Sequence, residues 1–324
     1  MKPLHTEEHP RGYPLLGIHH VTALAGDPQN NADFYTKVLG LRLVKKTVNF
    51  DAPDVYHLYY GDKIGRPGTI LTFFPFPNAA RGKRGVGEIE AVSLTVPVSS
   101  MGFWAEHLSR HGVAFGGPAR RFNEDVFSFQ DPDGMRLELV FTEGAQGRSH
   151  WSGSPIPGDS AVRGISGVTL MLADHEKTAR LLVGTMGFTL LETRGDRSRY
   201  VIGEGHGRAS LDIMTQPTLP PSRQSAGSVH HIAWRVATDE GQRAWQETIA
   251  QVNIPVTDIL DRNYFQSIYF REPGGVLFEI ATDTPGFTID EPADGLGSHL
   301  QLPHWLEPDR KSIERTLPPI VLPL

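Results

Sequence analysis

The fold is decided by residues 17–43, GIHHVTALAGDPQNNADFYTKVLGLRL, because a related stretch, GISGVTLMLADHEKTARLLVGTMGFTL, occurs at residues 164–190. Both copies begin with an alternating apolar segment. An acidic turn, an amphipathic stretch ended by a glycine, and a second alternating segment follow. This order predicts a strand, a helix and a further strand. A repeat at this distance indicates that one supersecondary unit is used more than once.

A second pair of stretches extends the repeat. DPDGMRLELV (131–140) matches EPGGVLFEIA (272–281), and IEAVSLTV (89–96) matches VHHIAWRV (229–236). The chain therefore consists of four units, each predicted to be βαβββ. Their ranges are 15–76, 87–142, 162–216 and 227–283.

These units predict an α+β fold with curved mixed sheets around a cleft. Residues 1–142 form a predicted N-terminal domain and residues 161–283 a C-terminal domain. The segment 143–160, rich in Gly, Ser and Pro, is predicted to be the linker between them. An extension, 284–324, carries a short predicted helix near 307–316.

Composition excludes several kinds of protein. A net charge of −6 and a pI near 6.2 give no basic field for nucleic acid. No apolar run approaches the roughly 20 residues of a membrane span, and the first residues lack the apolar core of a signal peptide, which predicts a cytoplasmic protein. The chain has no cysteine but 14 histidines, so any metal must be bound by His, Asp and Glu.

Two positions repeat in every unit, one on the first strand and one on the last. The residues there, in unit order, are His20 and Thr72, Ala91 and Glu138, Gly167 and Asp212, and His231 and Glu279. Sequential pairing of the units never brings two histidines together. Pairing the first unit with the fourth gives His20, His231 and Glu279, the two-histidine, one-carboxylate set typical of non-haem Fe(II) sites. The second and third units should then form a cleft without metal. A lone strand histidine is more often a core residue, but matching repeat positions favour ligands.

The first and fourth units also carry a resemblance. GIHHVTALAGDPQNNADFYTKVLGLRLVKKTVNFD, VHHIAWRV and DRNYFQSIYFREPGGVLFEIATD resemble the vicinal oxygen chelate (glyoxalase/bleomycin resistance/extradiol dioxygenase) superfamily, and within it the hydroquinone-type ring-cleaving dioxygenases. The resemblance extends over nearly the whole chain. It implies two vicinal-oxygen-chelate domains with ligands from the first and fourth units. It also implies an Fe(II) enzyme that cleaves a para-dihydroxylated ring beside a hydroxylated carbon and incorporates both atoms of O2.

The same resemblance implies further site residues. Arg262 and Tyr269 would act as electrostatic and proton-handling groups, with Thr22, His19 and His230 nearby. Strand alternation places Thr22 on the face of His20, and predicts that His19 and His230 point to the opposite face as supports behind the ligands. His57 lies on a first-unit strand, but no spacing assigns it a role.

Two other functions remain open at this point. A glyoxalase-like lyase or isomerase would use the metal as a Lewis acid, although Thr72 is a poor choice for a fourth ligand. A non-catalytic protein could bind an aromatic compound in the same cleft. Mn(II) could replace Fe(II), and Zn(II) or Ni(II) could be present after purification. The expected partners are a small aromatic diol and O2, and a homo-oligomer is left open.

Overall fold

The four predicted units are all present. The structure is a computed structural model that describes residues 10, 12–145 and 148–322. Each unit has the order strand, helix and three strands. The first contains β1 (Ile18–Ala25), α1 (Pro28–Asp33), β2 (Arg42–Asn49), β3 (Ala52–Gly61) and β4 (Ile70–Pro75). The second contains β5 (Glu88–Pro97), α2 (Met101–Arg110), β6 (Phe115–Arg121), β7 (Glu124–Gln130) and β8 (Arg136–Thr142).

The second half of the chain repeats this order. The third unit contains β9 (Ile165–Leu172), α3 (Glu176–Arg180), β10 (Thr189–Arg194), β11 (Arg197–Ile202) and β12 (Ala209–Thr215). The fourth contains β13 (Ser228–Val236), α4 (Asp239–Gln251), β14 (Leu260–Asp261), β15 (Gln266–Arg271) and β16 (Leu277–Thr282). The predicted helix of the extension is α5 (Arg310–Thr316).

The units pair across the chain, not along it. One eight-stranded mixed sheet has the order β14-β15-β16-β13-β1-β4-β3-β2, and the other the order β10-β11-β12-β9-β5-β8-β7-β6. The first sheet therefore joins the first and fourth units through the antiparallel pair of β1 and β13. The second joins the second and third through β5 and β9. The predicted α+β fold is confirmed, and we call the two concave regions the first-sheet cleft and the second-sheet cleft.

Local sequence explains why α1 forms where it does. The Asp27 carboxylate accepts a hydrogen bond from the Asn30 amide at 2.8 Å, and Pro28 occupies the first turn, where a missing amide proton costs nothing. The helix continues as a π-helical turn over Phe34–Val38 and ends at Gly40, whose φ is +66°. Only glycine adopts that conformation without strain.

In the first and third units, a buried carboxylate of the neighbouring unit holds the helical segment in place. The Tyr35 hydroxyl donates to Asp131 at 3.0 Å, and the Thr178 hydroxyl donates to Glu272 at 2.5 Å. Asp131 and Glu272 occupy equivalent turns of the second and fourth units. Because both carboxylates also accept backbone amide protons, these turns are held rigidly against the helices.

The C-terminal extension covers an edge of the first sheet. Lys45 on the edge strand β2 is fully buried, and its ammonium contacts Asp290 and Glu291 at 2.5 Å each. The amide of Gln301 donates to the Lys46 carbonyl at 2.9 Å. The extension thus satisfies an edge that would otherwise present unpaired backbone groups.

The division into two sequential domains stays a prediction, because each sheet takes one unit from each half. Residues 146 and 147 of the predicted linker lie outside the described residues, as do 1–9, 11 and 323–324. Within the part of the chain that the structure describes, no helix is long and apolar enough to cross a membrane.

Candidate metal centre

Three predicted ligands converge in the first-sheet cleft. The Oε2 atom of Glu279 lies 2.9 Å from His231 Nε2 and 3.3 Å from His20 Nε2, and the two Nε2 atoms are 3.4 Å apart. All three side chains are buried, with exposed fractions of 5% or less. His20 comes from β1, His231 from β13 and Glu279 from β16, so both ends of the repeat contribute.

The spacing of these donor atoms fits a transition metal. With bonds of about 2.1 Å, neighbouring ligand atoms are about 3.0 Å apart in an octahedron and about 3.4 Å apart in a tetrahedron. The three observed distances span that interval. The other carboxylate oxygen of Glu279, Oε1, accepts a hydrogen bond from the Ser267 hydroxyl at 2.5 Å. This bond leaves Oε2 as the oxygen directed at the imidazoles.

A second histidine stands behind each imidazole. His19 Nδ1 lies 2.9 Å from His20 Nδ1, and His230 Nδ1 lies 2.7 Å from His231 Nδ1. A proton on the inner Nδ1 satisfies each contact and leaves both Nε2 lone pairs facing Glu279. Among the described residues, Oε2 then has no hydrogen-bond donor. Three lone-pair atoms that face one another in a buried site fit a bound cation.

The placement of His19 and His230 differs from the expectation based on strand alternation. In the pairing of β1 with β13, the register shifts between Ile18 and His20, and again between Thr22 and Ala23. The shifts leave His19 and His230 as the extra residues of two β-bulges. Because a bulge redirects a side chain, both imidazoles reach the neighbouring ligand, and His230 also lines the cavity.

Burial keeps the supporting imidazoles neutral. It lowers the pKa of His19 to about 3, helped by neighbouring His20, and that of His230 to about 3, helped by His231. Burial also lowers the pKa of His231 below its usual range, although Glu279 opposes this shift. Burial would raise the pKa of Glu279, but a proton on the adjacent Nε2 atom of His20 or His231 holds the pKa well below its usual range. One anionic and several neutral groups are the state in which a metal binds.

The end of the first-sheet cleft that contains His20 and His231 opens into a cavity of about 410 Å³. Aromatic and aliphatic side chains form most of its wall, including Phe50, Phe74, Phe76, Leu260 and Phe265. Four other aromatic residues on strands of the first sheet are buried in the core instead: Phe73, Trp234, Phe270 and Phe278. An apolar, aromatic-lined cavity with a few polar groups suits a planar ring.

Arg262 and Tyr269 lie together in this wall. Arg262 Nε donates to the Tyr269 hydroxyl at 3.3 Å, and its Nη1 contacts Asp51 Oδ2 at 3.1 Å. The Tyr269 ring packs edge-on against His231, with centroids 5.6 Å apart. Burial raises the pKa of Tyr269 above its usual range, and Glu279 adds to the effect. The phenol therefore keeps its proton beside the ligand cluster.

Two cavity residues escaped the sequence interpretation, Tyr59 of β3 and Asn49 at the end of β2. His57 of β3, which the sequence placed on a first-unit strand without a role, also lines the cavity. Thr22, which was expected here, is fully buried behind the wall and accepts a hydrogen bond from Thr72 at 2.8 Å. The alternation of DVYHLYYG indicated a strand, but gave no sign of which face borders the cleft.

The second-sheet cleft contains carboxylates at the same repeat positions, and arginines bind them. Glu138 contacts both Nη atoms of Arg121 at 2.5 and 2.7 Å. Asp212 accepts hydrogen bonds from Arg199 at 2.7 and 3.0 Å and from Arg197 at 2.8 Å. These bidentate ion pairs occupy the oxygen atoms that a metal would need. The expectation of a cleft without metal stays a prediction, now with a physical reason.

Paired βαβββ units that form mixed sheets around a cleft are the architecture of the vicinal oxygen chelate class of proteins. The chain belongs to the Glyoxalase/Bleomycin resistance protein/Dioxygenase superfamily, whose family model matches residues 17–139 and 164–280. The resemblance noted in the sequence is thereby confirmed.

Individual relatives indicate which members of the superfamily this chain is similar to. The chain is 45% identical over 304 residues to a Bacillus subtilis protein named "Putative ring-cleaving dioxygenase MhqO", covering 94% of this chain and 96% of that protein. It is 36% identical over 315 residues to the chlorohydroquinone/hydroquinone 1,2-dioxygenase of Sphingobium indicum, with 94% and 97% covered. A crystal structure of a "putative dioxygenase" from Bacillus subtilis superimposes with a TM-score of 0.92 at 44% identity, covering 96% of this chain and 99% of that one. These names support an enzyme of the ring-cleaving dioxygenase kind.

Proposed function

We propose that this protein is an Fe(II)-dependent dioxygenase that opens hydroquinone-type aromatic rings with O2. The observation that carries the proposal is the convergence of His20, His231 and Glu279 at the inner end of an aromatic-lined cavity. The names of the relatives support the same kind of reaction.

The ligand set suits this chemistry. Two neutral imidazoles and one carboxylate leave a net single positive charge on a divalent ion, and three protein ligands leave positions for substrate and O2. When bound, Fe(II) would bring the diol and O2 together and supply the redox step. Affinity alone does not favour iron, so Mn(II), Zn(II) or Ni(II) could occupy the same ligands in a purified sample.

Arg262 and Tyr269 would assist the substrate electrostatically. A diol that binds through a deprotonated hydroxyl carries negative charge into a partly apolar cavity, which is costly unless a cation or donor faces it. The Arg262 guanidinium stays charged, because contacts with Tyr269 and Asp51 outweigh burial and raise its pKa. The Tyr269 hydroxyl, held by that guanidinium, would donate a hydrogen bond to a substrate oxygen or transfer its proton during ring opening.

His19 and His230 would hold the ligand imidazoles in one tautomer. Each accepts a hydrogen bond from the inner Nδ1, so the Nε2 lone pairs remain directed at the metal position. Each of the two His-His pairs thus supplies one proposed ligand and the histidine that would hold its tautomer. Ring opening with both atoms of O2 retained in the product balances without a further reductant.

Oxygen uptake tests this function. Protein reconstituted with Fe(II) under anaerobic conditions should consume O2 on addition of hydroquinone or methylhydroquinone, and more slowly or not at all with catechol. A Zn(II)-loaded sample is the control, because zinc supports no redox step. A Lewis-acid isomerase or a binding protein would consume no O2. Absence of uptake with every diol would exclude the dioxygenase function.

A further inference from the structure

An ion pair between the first and fourth units lies in the wall of the first-sheet cavity. Asp51, in the turn between β2 and β3, and Arg262, directly after β14, both line this cavity. Asp51 Oδ2 lies 3.1 Å from Arg262 Nη1. The Asp51 side chain is 74% exposed and that of Arg262 is 21% exposed, so the carboxylate is on the solvent side of the guanidinium.

The guanidinium is held in one orientation. Arg262 Nε donates to the Tyr269 hydroxyl at 3.3 Å, and its Cζ atom lies 5.4 Å from the centroid of the Tyr269 ring. The backbone amide of Arg262 donates to the Phe265 carbonyl at 3.0 Å, which closes the loop that carries it. Because the guanidinium is planar and rigid, these contacts also fix the direction of its other donors.

The turn that carries Asp51 is anchored as well. Asn49 pairs with Ala52 across the hairpin, so Phe50 and Asp51 are its two turn residues. The Asn49 side chain accepts a hydrogen bond from the Asp51 amide at 3.0 Å. The Phe50 ring packs edge-on against Trp305 of the C-terminal extension, with centroids 5.6 Å apart. An exposed carboxylate is therefore presented to the guanidinium by a turn that is fixed on both sides.

This ion pair stands in a wall of uncharged side chains and imidazoles. Among the described residues that line the cavity, Arg262 is the only arginine or lysine and Asp51 the only carboxylate. The other side chains of the wall are aromatic, aliphatic, amide, hydroxyl or imidazole groups. The positive charge of the guanidinium is thus matched within the protein before any ligand enters.

A ring substituent that carries a carboxylate would meet this pair unfavourably. A guanidinium is a strong partner for a carboxylate, but Asp51 already occupies one side of it. A second carboxylate would share one cation with Asp51, would be repelled by it, and would lose water in a mostly apolar cavity. An uncharged substituent has no such cost. Repulsion of the wrong ligand is a common source of specificity in binding sites.

We propose that Asp51 is a specificity-determining residue, which excludes diols with a carboxylate substituent because it occupies the guanidinium that such a substituent would bind. This role rests on the proposed function, since the ligands are aromatic diols in the same cavity. It concerns the substituent on the ring, and not the hydroxyl that approaches the metal ligands. Removal of the Asp51 charge would leave Arg262 free to bind a carboxylate.

The test compares two probes of similar shape, homogentisate, which is a hydroquinone with a carboxymethyl substituent, and its uncharged methyl ester. Calorimetric titration of Zn(II)-loaded protein gives both dissociation constants without oxidation, because zinc supports no redox step. Wild-type protein should bind the ester more tightly than the acid. Asp51→Asn keeps the shape and removes the charge. It should shift the ratio of the two constants toward the acid by about fivefold, the upper range for an ion pair near the surface.

Three further variants separate this effect from a general change in the cavity. Asp51→Ser removes the same charge and should shift the ratio in the same direction. Asp51→Glu keeps the charge and should stay within about twofold of the wild-type ratio. Asp54→Asn removes an equal charge at an exposed position of β3 outside the cavity wall, and should keep the wild-type ratio. Zinc content and melting temperature are measured for every variant, so that loss of the metal or of the fold is recognised.

An unchanged ratio in Asp51→Asn and Asp51→Ser, or an equal shift in Asp54→Asn, would overturn the role of Asp51. Tighter binding of the acid than of the ester by wild-type protein would overturn it too. If no diol supports O2 uptake by the Fe(II) protein but the ratio shifts as expected, the proposed reaction fails and the selection by charge stands. Oxygen uptake together with an unchanged ratio would support the reaction and contradict the role of Asp51.

Discussion

The two clefts of this molecule have the same backbone plan and different side-chain chemistry. In the first-sheet cleft, the equivalent positions hold His20, His231 and Glu279, and the carboxylate meets imidazoles and a serine hydroxyl. In the second-sheet cleft, Ala91 and Gly167 replace the histidines. The carboxylates there form ion pairs with arginines.

The partner of a buried carboxylate decides how that carboxylate is used. An arginine supplies a permanent positive charge and several donors, so the carboxylate is neutralised within the protein. Glu138 and Asp212 are in that state. Neutral imidazoles leave the Glu279 charge available for a cation. One fold can therefore carry a metal centre on one sheet and a structural ion-pair network on the other.

The largest effect is expected from removing a ligand. His231→Ala should abolish Fe(II) retention and lower O2 uptake by about 10³-fold or more, because two protein ligands remain and the metal supplies several kcal/mol. Metal content and oxygen uptake measure this. Asp212→Asn in the other cleft is the control and should keep its metal. Metal loss in the control with retention in His231→Ala would invert the assignment of the two clefts.

A stability effect of about 2–3 kcal/mol is expected at Gly167, the counterpart of His20 in the repeat. A Cβ atom there would overlap the backbone and hydroxyl oxygens of Ser210. Gly167→Ala should therefore lower the free energy of unfolding, measured in urea, while metal content stays unchanged. Gly184 has open space around it, so Gly184→Ala is the matched control. Equal stability of the two variants would show that the second-sheet cleft has room for a side chain at this position.

A loss of activity of about tenfold is expected from Arg262→Lys, because an ammonium cannot contact Tyr269 and Asp51 in the way the planar guanidinium does. Metal content should not change. Arg243→Lys, at an exposed position on α4, is the control and should have wild-type oxygen uptake. Unchanged oxygen uptake in Arg262→Lys would mean that a positive charge in this part of the cavity wall supports activity without the planar guanidinium.

The smallest effect, about 1 kcal/mol of stability, is expected from Glu138→Gln. Glutamine keeps the shape and one acceptor for Arg121, but it loses the charge of a pair that is partly exposed to solvent. Thermal unfolding measures this change in stability. Glu143→Gln, at an exposed site, is the control. A gain or loss of bound metal in Glu138→Gln would contradict the structural role given to this ion pair.

Much of this fold could be predicted from the sequence, because the repeat and its strand alternation are local patterns. The residues at equivalent positions also predicted which units pair, since the first and fourth units together contain both histidines and the carboxylate. The structure brings His20, His231 and Glu279 together as expected. The sequence also identified Glu138 and Asp212 as the residues at the equivalent positions of the second and third units, but not their arginine partners.

The sequence by itself determined the four units, their order and the three residues of the candidate metal cluster, since each follows from short-range periodicity or from comparison of repeats. Only the tertiary structure decided the direction of His19 and His230, because their β-bulges exist only where β1 meets β13. It likewise decided that His57 meets Thr72 and that arginines fill the other cleft. Contacts between strands distant in sequence depend on register, and no local pattern encodes register to a single residue.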